Sequence, residues 1–224
     1  MTEATTRRGR PPQTQEQAEE VRARIVLATA AVFTRHGSRG LSVAQIIEQA
    51  GLARPTFYRY FGNATEPLHV LLNTSNDGLV DGIRVALTGT DEPVELGIRL
   101  IDAYLDWAGG HGAMLRPLFA ELHDPGSPVS AYRERALEDI RALVRATFTE
   151  LGRPVPSPLD LDAALHVCEY VVYRISAGSA PGGEPDAETV AEARLTMIRV
   201  LLTTLGTRTD LEYAMQLPGI FPGP

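Results

Sequence analysis

The stretch Phe33-Thr-Arg-His-Gly-Ser-Arg-Gly-Leu-Ser-Val-Ala-Gln-Ile-Ile-Glu-Gln-Ala-Gly-Leu-Ala-Arg-Pro-Thr-Phe-Tyr-Arg-Tyr-Phe-Gly-Asn-Ala-Thr-Glu-Pro-Leu68 decides the fold. It parses as two short helices joined by a tight turn. Ser42 is placed to cap the first and Gln45 to complete a capping box. Gly51 follows Ala50, where a left-handed residue ends a helix at little cost, and Pro55 suits the first turn of the next one. This is helix-turn-helix punctuation. On the second helix Phe57 and Phe61 stand four apart and should dock inward. That leaves Arg54 and Tyr58 on one outward row and Pro55 and Arg59 on its neighbour. An outward face of Arg and Tyr suits an anion, because Arg reaches phosphate or the acceptor pair of guanine and Tyr hydroxyls donate to phosphate oxygens.

Outward from this stretch, apolar residues recur with helical period almost everywhere. Val21, Ile25, Ala28 and Val32 make one stripe, Leu68, Leu72, Leu79 and Ile83 another, and Val94, Ile98, Ile101 and Leu105 a third. Later stripes run through Ala136, Ile140, Leu143 and Leu151, then Leu161, Leu165, Cys168, Val172 and Ile175, then Leu195, Ile198, Leu202 and Leu205. Breaks fall at 88–93, 109–112, 124–128, 152–158 and 178–185, and Ser127-Pro128 and Ser157-Pro158 each read as an N-cap followed by Pro. Strand-like alternation is absent. The expectation is an all-α protein of about nine helices, with a Pro/Gly-rich tail from Thr207 that frays or lies along the surface.

With 224 residues, 44% of them hydrophobic, the chain can bury a full core. A formal charge of −7 argues at first against nucleic acid. Location reverses that: residues 1–63 carry 9 Arg against 5 acids, a charge of +4, and residues 64–224 carry 12 Arg against 23 acids, a charge of −11. All 21 basic residues are Arg, which excludes a phosphate loop ending in Gly-Lys, a Schiff-base enzyme and a kinase-type Lys/Glu pair. The absence of Lys itself reads as a composition bias. One Cys forbids an internal disulfide, no signal-peptide pattern opens the chain, and no apolar run is long enough for a membrane helix, so a cytoplasmic protein is expected.

Residues about 16–70 resemble the DNA-binding domain of the TetR/AcrR family of bacterial transcriptional regulators. The resemblance rests on Phe33-x-x-x-Gly37, on Leu41-Ser42-Val43-x-x-Ile46 leading to Ala50-Gly51-Leu52, and on Thr56-Phe57-Tyr58-Arg59-Tyr60-Phe61. It implies a three-helix helix-turn-helix head followed by a helical ligand-binding and dimerisation body. It also implies that Ser42 and the second short helix meet phosphates, while Arg54, Pro55 and Thr56 approach base edges. Tyr58, Arg59, Tyr60 and Asn63 complete the expected DNA-binding set. Arg8 and Arg10 join it from a basic arm, where Arg-Gly-Arg-Pro fits a narrow minor groove. Two positions depart from the family. Ala53 stands where a polar cap is usual, and Ala64 stands where a Lys commonly opens the fourth helix, which should weaken nonspecific DNA binding. Asn63 and Glu66 can still cap that helix.

The resulting division is 1–13 as a disordered basic arm, 14–63 as the DNA-binding domain, 64–206 as the ligand-binding and dimerisation domain, and 207–224 as a tail. One reading head gives limited specificity, so a homodimer on a palindromic double-stranded operator is expected. Leu161, Leu165, Leu195, Ile198, Leu202 and Leu205 are the candidate interface, on stripes too broad for one face. Tyr104, Trp107, Met114, Phe119, Glu121, His123, Tyr170 and Tyr173 are candidate contacts for an apolar or aromatic small-molecule effector that releases DNA. No cofactor and no metal site are expected, since His111, His123, His166 and Cys168 lack tight ligand spacing. Cys168 reads as a buried, inert thiol. The rival readings are an architectural DNA-binding protein or an activator without effector, and an enzyme using Asp102, Asp106 and Glu121. The enzyme lacks any nucleophile motif or cofactor fingerprint.

Overall fold

The computed structural model describes residues 14–178, 183 and 185–221. The arm over 1–13, with Arg8 and Arg10, lies outside these residues. Among the described residues the order is α1 (Gln15–His36), α2 (Val43–Ala50), α3 (Arg54–Tyr58), α4 (Thr65–Leu87), α5 (Pro93–His111), a 3-10 turn (Gly112–Met114), α6 (Leu115–Glu121), α7 (Pro128–Glu150), α8 (Pro158–Gly178), α9 (Ala187–Leu205) and α10 (Arg208–Ala214). The protein is all-α, with no strand among these residues.

Helix ends follow local chemistry. The Ser42 hydroxyl accepts from the Gln45 N–H at 3.3 Å, although the Gln45 carbonyl turns to the Ser42 hydroxyl instead of its N–H, so the expected box is not reciprocal. Gly51 ends α2 at φ 60° and ψ 41°, the left-handed backbone that glycine adopts without steric cost. At the start of α4 the Asn63 carbonyl accepts from the Thr65 and Glu66 N–H groups, and Glu66 reaches back to the N–H of Gly62 at 2.6 Å. The box there is displaced by one residue. Ser127 and Ser157 cap α7 and α8 as their Ser-Pro pairs predict. The Gly109-Gly110 pair does not break α5, which continues to His111 before the 3-10 turn.

Two apolar clusters organise the packing. The smaller joins Ile25, Ala28 and Val32 of α1 to Ile46, Ala50, Phe57 and Phe61. The larger runs through α4 to α9, with Ile83, Ile101, Leu161, Met197 and Ile198 fully enclosed. Phe33 of α1 and Leu68 of α4 belong to the larger cluster, so these two helices carry the head on the body. Helix α4 packs on α1, α5 and α7, while α8 and α9 pack chiefly on each other.

The tail is ordered. Thr207 and Asp210 form a capping box that starts α10, and Ala214 and Ile220 are buried in the body core. This helix is the addition to the nine or so read from the sequence. Arg153 at the end of α7 grips the Asp210 carboxylate with both terminal nitrogens, and Arg199 binds the Ile220 carbonyl. Of the two expected outcomes, fraying or lying along the surface, the structure shows the second in ordered form, held by buried Ala214 and Ile220 and by two guanidinium clamps.

Burial alone would raise the Asp210 carboxyl, but Arg153 and the Thr207 N–H and hydroxyl hold it below the usual carboxylate range. Its stabilising contribution is therefore complete above the ordinary Asp pKa and is lost as pH falls through the lowered value. Asp210→Asn should cost roughly 3 kcal/mol at pH 7, and the gap from the parent should close below about pH 4. Urea unfolding at a series of pH values checks both statements; a gap that widens on acidification would refute the assignment.

Candidate functional site

The exposed face of the head is built on buried aromatics. Phe57 is fully enclosed and Phe61 nearly so, their ring centroids 6.0 Å apart, and this anchors α3 against α1 and α2. Arg54, Pro55, Tyr58 and Arg59 are then exposed and Thr56 and Tyr60 half-buried. The face is pre-ordered: Arg54 donates to the Tyr58 hydroxyl at 3.2 Å, and the Arg59 guanidinium lies 5.5 Å from the Tyr60 ring centroid. Neither Arg54 nor Arg59 forms an ion pair among the described residues, so both guanidinium charges face solvent. Ser42 is half-buried as the cap of α2, and Asn63 is exposed with its side chain on the first amides of α4. Ala53 makes no side-chain cap, as its chemistry requires.

Glu121 and His123, read as effector contacts, stand elsewhere. The Glu121 carboxylate accepts from the Ser38 N–H at 2.8 Å and from the Ser127 hydroxyl at 2.5 Å. Arg39 and Asp124 form a second bridge at 2.7 Å between the same two segments. The α1–α2 turn of the head is thus latched to the α6–α7 turn of the body. Gly37, at φ 66°, lets Glu121 approach, since a Cβ there would lie 2.6 Å from the Glu121 Oε1. His123 is largely exposed, 4.0 Å from the Glu169 carboxylate.

The body holds a cavity of about 80 Å³ lined by α4, α5, α6, α7, α8 and α9. Of the candidate effector contacts, Tyr104 and Trp107 line it, and their rings stack with centroids 5.7 Å apart. Met114 and Phe119 are core residues outside its wall, and Tyr170 is 61% exposed on the outer face of α8. Tyr173 is also outward, its ring 6.4 Å from Phe119. The wall instead includes residues that the sequence reading passed over. Arg133, 8% exposed, donates through Nε and Nη2 to Glu169 at 2.7 Å each, and Nη1 binds Glu134. A charge on the inward row Val129, Arg133, Ala136, Ile140 was the signal available for it. Asn76 donates to the Tyr132 carbonyl at 2.6 Å, and the Trp107 indole donates to the Ser75 carbonyl at 3.0 Å. The Tyr132 hydroxyl pairs with the His69 ring at 2.9 Å. His111 bonds Ser75 and the Trp107 carbonyl, and burial lowers its pKa.

Burial pushes the Cys168 thiol up to about 12, so it stays protonated at neutral pH. Of the carboxylates of the enzyme reading, Asp102 is engaged by Arg194 and Glu121 by Ser38, and Asp106 is exposed on α5.

The helix faces also divide differently from the stripe reading. Leu161, Ile198 and Leu202 are sealed in the core of a single chain and offer no surface to a second copy. Leu165, Leu195 and Leu205 are half-buried. The outward row of α8 is Leu159 at 76% exposure, Ala163, Val167 and Tyr170. Their spacing of three and four residues makes one continuous stripe. No described helix is long and apolar enough to cross a membrane.

Residues 25–66 match the family model of bacterial regulatory proteins, tetR family. The chain is 27% identical over 135 residues, 60% of each protein, to the HTH-type transcriptional activator FasR of Mycolicibacterium smegmatis. It is 33% identical over 84 residues to the HTH-type transcriptional regulator TtgR of Pseudomonas putida, covering 38% of this chain and 40% of TtgR. The matches thus span less than two thirds of these relatives. In fold, the chain is similar to FadR of Bacillus subtilis in complex with stearoyl-CoA, with a TM-score of 0.64 at 18% identity, over 83% of this chain and 99% of that one.

If Glu121 holds the head on the body, Glu121→Ala should release the α1–α2 turn without unfolding either core. Loss of a charge-assisted bond predicts amide hydrogen exchange at Ser38 faster by on the order of tenfold to a hundredfold, with exchange in α8 and α9 unchanged. Equal protection of Ser38 in both proteins would count against the latch.

Proposed function

On the premise that this chain belongs to the tetR family of bacterial regulatory proteins, we propose that it is a homodimeric repressor that binds a palindromic operator and is released by an apolar small molecule. The observation that carries the DNA-binding part is the exposed Arg54 and Arg59 face, without an ion pair among the described residues, set on the buried Phe57 and Phe61. The guanidinium groups would meet phosphates and base edges, Tyr58 and Tyr60 would donate to phosphate, and Ser42 and Asn63 would bring amide-rich helix starts to the backbone. The basic arm with Arg8 and Arg10 would reach the minor groove. Residues 14–63 act as the reading head in this scheme and 64–206 as the sensing and pairing body, closed by α10. The same reading assigns the protein to the cytoplasm, with its DNA.

The cavity supports the effector. Leu118 and Leu122 line its wall, and Glu121 lies between them at the end of α6. A molecule that displaces those leucines would move the carboxylate that holds Ser38, and with it the head. Couplings of this kind are typically 1–3 kcal/mol between sites. FadR of Bacillus subtilis with its stearoyl-CoA supports an effector with a long apolar part. An activator is the second reading, favoured by the name of FasR. Pairing would use the outward stripe Leu159, Ala163, Val167 and Tyr170 of α8, with the rims of Leu165, Leu195 and Leu205.

Two experiments test this. Gel shifts against palindromes in the DNA upstream of its own gene should give a salt-sensitive complex, and Arg54→Ala should weaken it by about 1–3 kcal/mol, roughly tenfold to a hundredfold. No shift on any such site would sink the operator reading, and transcription in vitro would separate repressor from activator. Tyr170→Asp should turn a dimer into a monomer in analytical ultracentrifugation with its helical content intact. A dimer unaffected by that charge places the interface elsewhere.

A further inference from the structure

The polar groups on the cavity wall come from four helices, α4, α5, α7 and α8, and are unequally satisfied. Tyr104 of α5 is half-buried on the cavity wall, and its hydroxyl makes no hydrogen bond to any described residue. Burial, then the nearby Glu169 carboxylate and Cys168 thiol, push its phenol well above the ordinary range, while Arg133 pulls it down, so it is a neutral donor. The one cation on the wall is already committed. Nε and Nη2 of Arg133 face both oxygens of Glu169, itself 13% exposed at the side chain, and Nη1 faces Glu134.

From this we infer that the cavity selects an effector with an uncharged hydrogen-bonding head, a hydroxyl being the simplest, on an apolar body, and rejects a free carboxylate of equal size. The inference rests on the cavity being the effector site. A carboxylate entering beside Tyr104 would meet two acidic groups around one guanidinium, with no unshared cation on the wall to receive it. If it displaced Glu169 from Arg133, that carboxylate would be left buried and unpaired. An ammonium head would sit beside Arg133, whose own charge is matched by Glu169, and would lose its hydration for nothing new. A neutral head escapes both penalties and supplies the partner that the Tyr104 hydroxyl lacks.

The body of the effector follows from the remaining wall, where Leu72, Leu79, Ile83 and Leu118 are apolar. Only Leu100, Leu165 and Leu201 are shared with a second cavity of about 70 Å³ that extends toward α10. The two volumes together approach the roughly 150 Å³ of an engineered cavity that takes up benzene. An effector longer than a few carbons would therefore extend by parting these three leucines.

Trp107 is the single Trp of the chain and stacks on Tyr104, so its emission reports occupancy directly. The test titrates the full-length protein at pH 7 with hexan-1-ol, hexanoate and hexylamine, three bodies alike that differ in the charge of the head. Hexan-1-ol should give a saturable change at a Kd at least about tenfold below that of either ion. Tyr104→Phe should remove about tenfold of that affinity, and Glu169→Gln, which unmasks Arg133, should raise hexanoate affinity by about tenfold or more. Hexanoate binding the parent as well as the alcohol does, no saturable binding of any probe, or neither variant altering the order would each overturn the inference. Operator release, followed in parallel by fluorescence anisotropy, separates the two levels. Selective alcohol binding without release would sink the effector reading and leave the cavity chemistry standing, whereas release by hexanoate alone would do the reverse.

Discussion

Glu121 accepts hydrogen bonds from two places that belong to different parts of the chain, the Ser38 amide at the end of α1 and the Ser127 hydroxyl that caps α7. The arrangement constrains much of what surrounds it. It favours glycine at 37, where the backbone has φ 66° and a Cβ would stand only 2.6 Å from the Glu121 Oε1. It fixes the start of α7, because the Ser127 hydroxyl that donates to Glu121 also accepts from the Val129 N–H. It also ties the short helix α6, whose leucines form cavity wall, to the segment that leads into α2 and α3. A shared carboxylate of this kind is strong because both donors are positioned by helix ends, and it is sensitive because a small displacement loses both bonds together.

The sequence made the helix-turn-helix legible for a physical reason: its determinants are local. Gly51, the Ser42 cap and the spacing of Phe57 and Phe61 act within a turn or two of themselves, and the Ser-Pro starts at 127 and 157 do the same. Where a local rule offered two partners, the outcome moved: Glu66 closed on Gly62 and Gln45 turned to a hydroxyl. The tail lies along the surface as an ordered helix and does not fray, and the signal for that is also local, a Thr-x-x-Asp start followed by Leu211, Ala214 and Leu217 that its Pro and Gly content masks.

Periodicity could not divide a helix that is apolar on two sides. Residues 161 and 167 of α8 are both apolar, yet Leu161 is sealed and Val167 is exposed, and the packing of α9 and other helices of the body against α8 decides which side is which. Cavity residues were illegible for a related reason. Tyr104 and Trp107 share a helix and came through together, but Arg133 and Glu169 lie 36 residues apart and join only across α7 and α8. Aromatic and sulfur content marked Met114, Phe119, Tyr170 and Tyr173 equally, and content says nothing about which way a ring points.

The absence of Lys gives these pairings a common form. Each cation of the body is a planar fork, and at Arg133–Glu169, Arg153–Asp210 and Arg194–Asp102 both carboxylate oxygens are engaged by two nitrogens of one side chain. Such pairs fix distance and orientation between helices, which a point charge on a flexible stem would not. The body's 12 Arg are outnumbered by 23 acids, and several of its forks, Arg133, Arg141, Arg153 and Arg194 among them, close on carboxylates of other helices or turns. In the head the ratio is reversed, 9 Arg against 5 acids, and Arg54 and Arg59 settle over Tyr rings, with no ion pair to either among the described residues. One residue type therefore does opposite work in the two halves, and the local supply of carboxylates decides which: where acids abound it staples helices, and where they are scarce it stays open to a polyanion.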